Sequence, residues 1–391
     1  MPAAAKWEVI ASRHRAKQQQ AIPQAWTIPD SKLKELSGTG TGHEGRLIAL
    51  NALGKSALLT EKELDISGNY TARELLDKIH GRDLSSEEVT LAFCKRAAVA
   101  QQLTSCLTEI FFHQGIARAR QLDQHMIATG RPFGPLHGLP ISLKDSFVIE
   151  GHHATVGYVE FLKRPPPTAN SAMVDLLLDA GAVFFCKTNI PQTLMTADSE
   201  NNIFGRTLNP HKTSLTAGGS TGGEGALISF RGSVLGIGTD IAGSIRIPSL
   251  CCGIYGFKPT ADQLDTAHQL SEFLRLRSGY ADSWRSTWRD NNLDVVVGPG
   301  AISTAVPHDT YGAPVYTLMW NVLDYPAGII PYGVASKDKD FQYQKAITPF
   351  DADYDPEASD GAPCAIQVVA PRFRDEECLQ AMRIIDRDIR Q

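Results

Sequence analysis

The chain has no CxxC pair, no HExxH and no Cys/His cluster at ligand spacing, although it carries 7 Cys and 11 His in 391 residues. Zinc ribbons, dithiol redox pairs and metalloprotease helices are therefore not expected, and no metal or cofactor is implied. Long apolar runs are also lacking. The best stretch, Ala172 to Phe185, is cut by Asp175 and Asp179, so no membrane span is expected. The first fifteen residues mix charged and apolar side chains and lack the apolar core of a secretory signal. A cytoplasmic, soluble protein is the expectation. A basic excess is missing too: 38 Lys and Arg face 43 Asp and Glu, for a net charge of −5, which argues against a nucleic-acid partner. What is present is an ordinary 42% of hydrophobic residues, enough for a packed core. The vicinal Cys251 and Cys252 read as small buried hydrophobes rather than as a reactive pair.

Residues 1–60 read as an N-terminal arm and linker, and 61–391 as a single domain. The arm is expected to be irregular over residues 1–45. It ends in a Gly/Thr-rich run in which Gly40, Gly42 and Gly45 have GxGxxG spacing, but no strand precedes them, so a linker is expected rather than a nucleotide loop. Thr71 with Glu74 and Ser85 with Glu88 are spaced as capping boxes that open helices. Val89, Phe93 and Ala97 then recur at helical spacing, as do Ile116, Ala119, Leu122 and Met126. Ala172 to Ala180 reads as a further helix. Short apolar strands alternate with these helices at Ala182–Cys186, Ser233–Gly238, Asp294–Val297, Gly328–Tyr332 and Ala365–Val369. The pattern is that of an α/β layer fold.

Glycine is concentrated in two places, AGGSTGGEG (Ala217 to Gly225) and GIGTDIAGSIRIP (Gly236 to Pro248). Glycine loses the most entropy on ordering, so such clusters need a positive φ or a close backbone approach to justify them. Ser220 and Ser244 sit inside them. A third segment, GLPISLKD (Gly138 to Asp145), places Lys144 in an apolar strand-like stretch. Alternation puts Lys144 on the face opposite Ile141 and Leu143. Two readings follow: a solvated lysine on a sheet edge, or a buried amine. An unperturbed lysine near pKa 10.4 is neutral about once in 2,500 molecules at pH 7. Desolvation lowers that pKa, and a drop of roughly three units, costing about 4 kcal/mol, makes a usable base.

GGSTGGEGA, GTDIAGSIRIP and PISLKD together resemble the amidase signature family, with flanking CKTNIPQTLM, GRTLNP and YGFKPT also similar. The text around VTLAFCKR resembles fungal acetamidases in particular. The resemblance implies a mixed, twisted central sheet flanked by helices. It also implies hydrolysis of a small, acetamide-like carboxamide to acid and ammonia through a Ser–Ser–Lys triad. By motif position Ser244 is the nucleophile, Ser220 the bridge and Lys144 the base. Backbone N–H groups of Ile241, Ala242, Gly243 and Ser244 would hold the oxyanion. Thr239, Asp240 and Arg246 would support the loop, the last two as a pair. Leu194 and Met195 stand where family members line the acyl pocket, and plain core is the other reading for them. Glu224 is expected in the first turn of the helix after Ser220, complementing its positive end. A homodimer through the arm is an expectation by family analogy.

The sequence departs from the family pattern twice. Ala242 stands where glycine is common, and after Thr260 the text jumps through Ala261 to Leu270 directly to SEFLRLRSGYADSWRSTWRD, which resembles a late family helix. An internal segment is missing there. That gap motivates a second reading, a catalytically impaired relative acting as a binding or scaffold protein. A third takes Gly218-x-Ser220-x-Gly222 as the nucleophile elbow of an α/β-hydrolase, completed by His268 or His308, which demands a strand leading into Ser220.

Overall fold

A computed structural model describes residues 6–37, 45–261, 271–348 and 351–391, the side chains of 271–275 excepted. Gly40 and Gly42 of the linker, His268 and the junction residues 262–270 lie outside that description. The chain forms two compact units, Met1–Thr239 and Asp240–Gln391.

Ten strands are described: β1 Leu107–Ile110, β2 Pro140–Lys144, β3 Val183–Thr188, β4 Glu200–Asn201, β5 Gly205–Arg206, β6 Gly236–Ile237, β7 Gly256–Lys258, β8 Val296–Gly298, β9 Ala327–Val334 and β10 Pro363–Val369. In the first unit β1, β3, β2 and β6 form one sheet in that order. β2 runs parallel to both β3 and β6, while β1 is antiparallel to β3. β2 and β3 are buried along their whole length, as strands covered on both faces must be. Ala119 and Leu122 of the helix Phe112–Thr129 pack on Val183 of β3. The expected capping boxes at Thr71/Glu74 and Ser85/Glu88 form, and a third forms at Thr60/Glu63.

The arm departs from expectation. Residues Trp7–Gln20 and Asp30–Leu36 are helical, not irregular. The first of these helices buries only Ala11. Polar contacts hold it instead: Gln18 Nε2 donates to the carbonyls of Leu107 (2.8 Å) and Thr108 (2.9 Å), Arg15 donates to that of Ile203 (2.8 Å), and His14 lies 3.0 Å from Glu109. A helix without an apolar stripe carries no periodic signal in the sequence.

In the second unit β7, β9, β10 and β8 form an entirely antiparallel sheet. Ile330, Val368 and Ala370 pack with Cys378 and Met382 of the helix Asp375–Ile389. Trp288, Trp320, Leu323 and Tyr325 build a second apolar cluster with Ala327 and Val369. Cys251 and Cys252 are wholly buried in the helix Arg246–Cys252. The class is α/β, and each expected strand occurs within three residues of its expected ends. Eight of the ten strands divide into two four-stranded sheets, one in each unit, and β4 pairs with β5 in a two-stranded sheet; alternation marks a strand without naming its neighbour. Among the described residues no helix is long and apolar enough to cross a membrane.

Candidate active site

β2 ends at Lys144 with strands on both sides, so the edge-lysine reading fails. The side chain is fully buried. Its Nζ lies 2.7 Å from Ser220 Oγ and 2.8 Å from Thr239 Oγ1, donating to both. The site thus forms at the C-terminal end of a parallel strand pair, where open α/β sheets gather their functional groups.

Ser220 is held by glycines that nothing larger can replace. Gly218 has φ +80°, and a Cβ on Gly219 would lie 2.3 Å from the carbonyl oxygen of Thr196. The Gly219–Ser220 peptide is cis. Ser199 Oγ donates to the Gly218 carbonyl (2.9 Å) and accepts from the Gly222 N–H (3.0 Å), tying the loop to the helix Gly222–Ser229. A Cβ on Gly223 would sit 2.2 Å from the Asn189 nitrogen. These contacts are the close approaches that the glycine clustering demands. No strand leads into Ser220: residues 217–221 are loop, preceded by the isolated bridge residues Leu215 and Thr216. The nucleophile-elbow context is therefore absent. His268 lies outside the described residues, and His308 falls in the second unit.

The segment proposed to line the acyl pocket adjoins this loop through Thr196. Thr193 (φ +70°) and Leu194 (φ +63°) are left-handed, and Met195 is 80% exposed. Plain core is thereby excluded for Met195, while Leu194 is half-buried.

In the second unit Asp240 and Arg246 form the expected pair, and it is more extensive than the sequence disclosed. Arg246 is fully buried, donating from Nε (3.0 Å) and Nη2 (2.9 Å) to the two carboxylate oxygens of Asp240. The same carboxylate accepts the N–H groups of Gly243 (2.9 Å), Ile245 (3.1 Å) and Arg246 (3.3 Å). Burial pushes the Asp240 carboxyl up, but the Arg246 charge and these hydrogen bonds outweigh it and leave the pKa at about 2. Asn321 donates to Asp240 (3.0 Å), and Gln367 accepts from Arg246 (2.9 Å). Both lie far along the chain in β10 and the helix Val315–Leu323, and no local signal pointed to them.

The departure at Ala242 brings no strain, and one expectation about this turn needs correction. Gly243, not Ala242, holds the glycine-only conformation, with φ +125° and a notional Cβ 2.2 Å from Thr317 Oγ1. Ala242 has no positive φ, so its methyl introduces no left-handed strain. In addition, the Gly243 N–H is committed to Asp240. Among the described residues the N–H groups of Ile241, Ala242 and Ser244 have no protein acceptor, and Ser244 Oγ makes no hydrogen bond. Ser244 is half-buried and Ile241 is 82% exposed. No group of three or more His, Cys, Asp or Glu among the described residues is arranged to hold a metal ion.

The sequence profile of the family described as Amidase matches residues 88–268 and 262–379. The chain belongs to the amidase signature family. Its members hydrolyse amide C–N bonds, and the match divides at the junction where the family text jumps. An amidase of Gibberella moniliformis is 31% identical over 97% of this chain and 98% of its own. That alignment runs over 533 positions; at least 142 of them, the excess over 391, face no residue of this chain. An acetamidase of Emericella nidulans is 43% identical over 67% of this chain but only 45% of its own length. The chain thus spans under half of that relative. A solved structure of fatty acid amide hydrolase shares the fold, with a TM-score of 0.84 at 23% identity over 98% of this chain and 95% of that one.

Proposed function

We propose that the chain hydrolyses a small carboxamide to the carboxylic acid and ammonia by acyl transfer to Ser244. The observation that carries this reading is the fully buried Lys144 amine within hydrogen-bond reach of Ser220. A water-poor setting disfavours an ammonium relative to an amine, which is what a lysine base requires. In the proposed cycle Ser244 Oγ attacks the amide carbon while its proton passes to Ser220, whose own proton passes to the Lys144 amine. N–H groups of Ile241, Ala242 and Ser244 meet the oxyanion, each worth on the order of 10²–10³ in rate. The relay returns the proton to the departing nitrogen as the C–N bond breaks, and water then cleaves the acyl ester by the same relay. Thr239 fixes the Lys144 amine from its other side, and the Asp240–Arg246 pair fixes the turn that bears Ser244.

A small acyl group is proposed because an acetamidase is among the relatives. The protein is proposed to work in the cytoplasm on a free small-molecule amide, as a single domain over 61–391 with the arm at 1–60. Purified protein incubated with acetamide should release ammonia in step with acetate. A folded chain that releases none from acetamide, propionamide or benzamide contradicts the reading. The same result would favour the scaffold alternative, which the positions of that alignment without a residue in this chain motivate.

A further inference from the structure

A groove of about 780 Å³ runs beside the helix Ser271–Asp290 of the second unit. Four arginines line it, Arg277, Arg285, Arg289 and Arg372, and among the described residues no Asp or Glu does. This cationic lining belongs to a chain whose net charge is −5. Three of the four come from the helix itself. Residues 277, 281, 285 and 289 recur every four positions and so share one side, with Arg277 and Arg289 about 18 Å apart along the axis. The floor is apolar. Trp288, Leu323 and Tyr325 lie there, each more than nine-tenths buried.

The arginines differ in how firmly they are engaged. Arg372 is fixed, 2.9 Å from Asp324 and over the Phe373 ring at 4.6 Å. Arg285 pairs with Asp282 and Arg289 with Asp290, and every side chain in these two pairs is more than 60% exposed. Such exposed pairs are weak, so both guanidinium groups can turn to another anion. Arg277 Nε donates to the Val322 carbonyl at 2.5 Å, and among the described residues no carboxylate pairs with it. Burial raises the Tyr325 pKa, and the Arg285 charge is among the effects that lower it, which sets that cation beside the floor.

The two features together select a ligand. A neutral apolar molecule would leave the cations unused, and a small inorganic anion would leave the floor in water. A planar guanidinium offers a fork that matches a carboxylate and is itself weakly hydrated. The volume suits one small organic molecule, for which an apolar bed with a few polar anchors is the usual design. We infer that this groove binds an organic carboxylate with a ring-sized apolar body, its rings on the floor and its carboxylate on Arg277. The inference is independent of the amidase reading, because no residue assigned to catalysis lines the groove.

The test is calorimetric titration of the full chain with 2-naphthoate, which needs no turnover. One site per chain is expected, with a Kd on the order of 10⁻⁴–10⁻³ M for a ligand of this size. 2-Naphthylmethanol, the same rings without the charge, should bind about tenfold more weakly or worse, and so should 2-naphthoate to Arg277→Gln. Arg277→Lys should recover part of that loss, supplying charge without the fork. Should Arg277→Gln fold poorly, Arg285→Gln, at a side chain 65% exposed, should still weaken binding about threefold. Lys144→Met should bind the acid as the parent does. Equal affinity for the acid and the alcohol would mark a plain apolar gap and overturn the inference. So would undiminished affinity in the folded arginine variants, loss of binding in Lys144→Met, or no binding up to about 5 mM 2-naphthoate.

Discussion

Lys144→Met is expected to lower kcat for amide hydrolysis by about 10⁴-fold or more, with folding intact. The size follows from removing one member of a unit that acts together, where a single loss costs nearly as much as losing the whole set. Methionine is chosen because the side chain is fully buried. An apolar, unbranched residue of similar length fills the space with little strain. Unchanged urea midpoints alongside lost turnover would assign the effect to chemistry. A variant within about tenfold of the parent would show that the proton leaves by another route.

The second large effect is on stability. Arg246→Met leaves the Asp240 carboxylate buried without its cation, and such uncompensated charges cost about 3–5 kcal/mol. That is a large part of the 5–15 kcal/mol typical of a folded protein. The pH dependence should reverse as well. In the parent, Asp240 titrates at about 2, below its unfolded value, so its contribution is present above about pH 4 and lost as pH falls through 2. In the variant, burial without Arg246 raises the pKa above the unfolded value, so stability falls as pH rises above about 4. Urea midpoints at pH 4 and pH 7 measure this. Adding Asp240→Asn should restore part of the loss at pH 7, since the unpaired charge is then gone. Equal midpoints for parent and Arg246→Met would contradict the structural role given to the pair.

Much of the candidate site could be read from the chain because its constraints are local. Gly218, Gly219 and Gly223 had to be glycine for reasons of φ and of backbone approach, and Asp240 and Arg246 are six residues apart in one turn. Lys144 stood out as a cation among apolar neighbours. The partners of these groups were another matter. Asn321 and Gln367 meet Arg246 from 75 and 121 residues away, and ordinary polar residues at such separations carry no mark. The helix Trp7–Gln20 escaped because polar contacts hold it in place of an apolar stripe. Division of the strands between two sheets escaped for a related reason: a short apolar run announces burial and says nothing of what lies beside it.

A fluorophosphonate probe followed by peptide mapping tests the central claim most directly, since only an activated serine reacts. The account predicts a single adduct on Ser244 in the parent and none in Lys144→Met. An adduct on Ser220, undiminished labelling in Lys144→Met, or a folded parent that takes up no probe would contradict it.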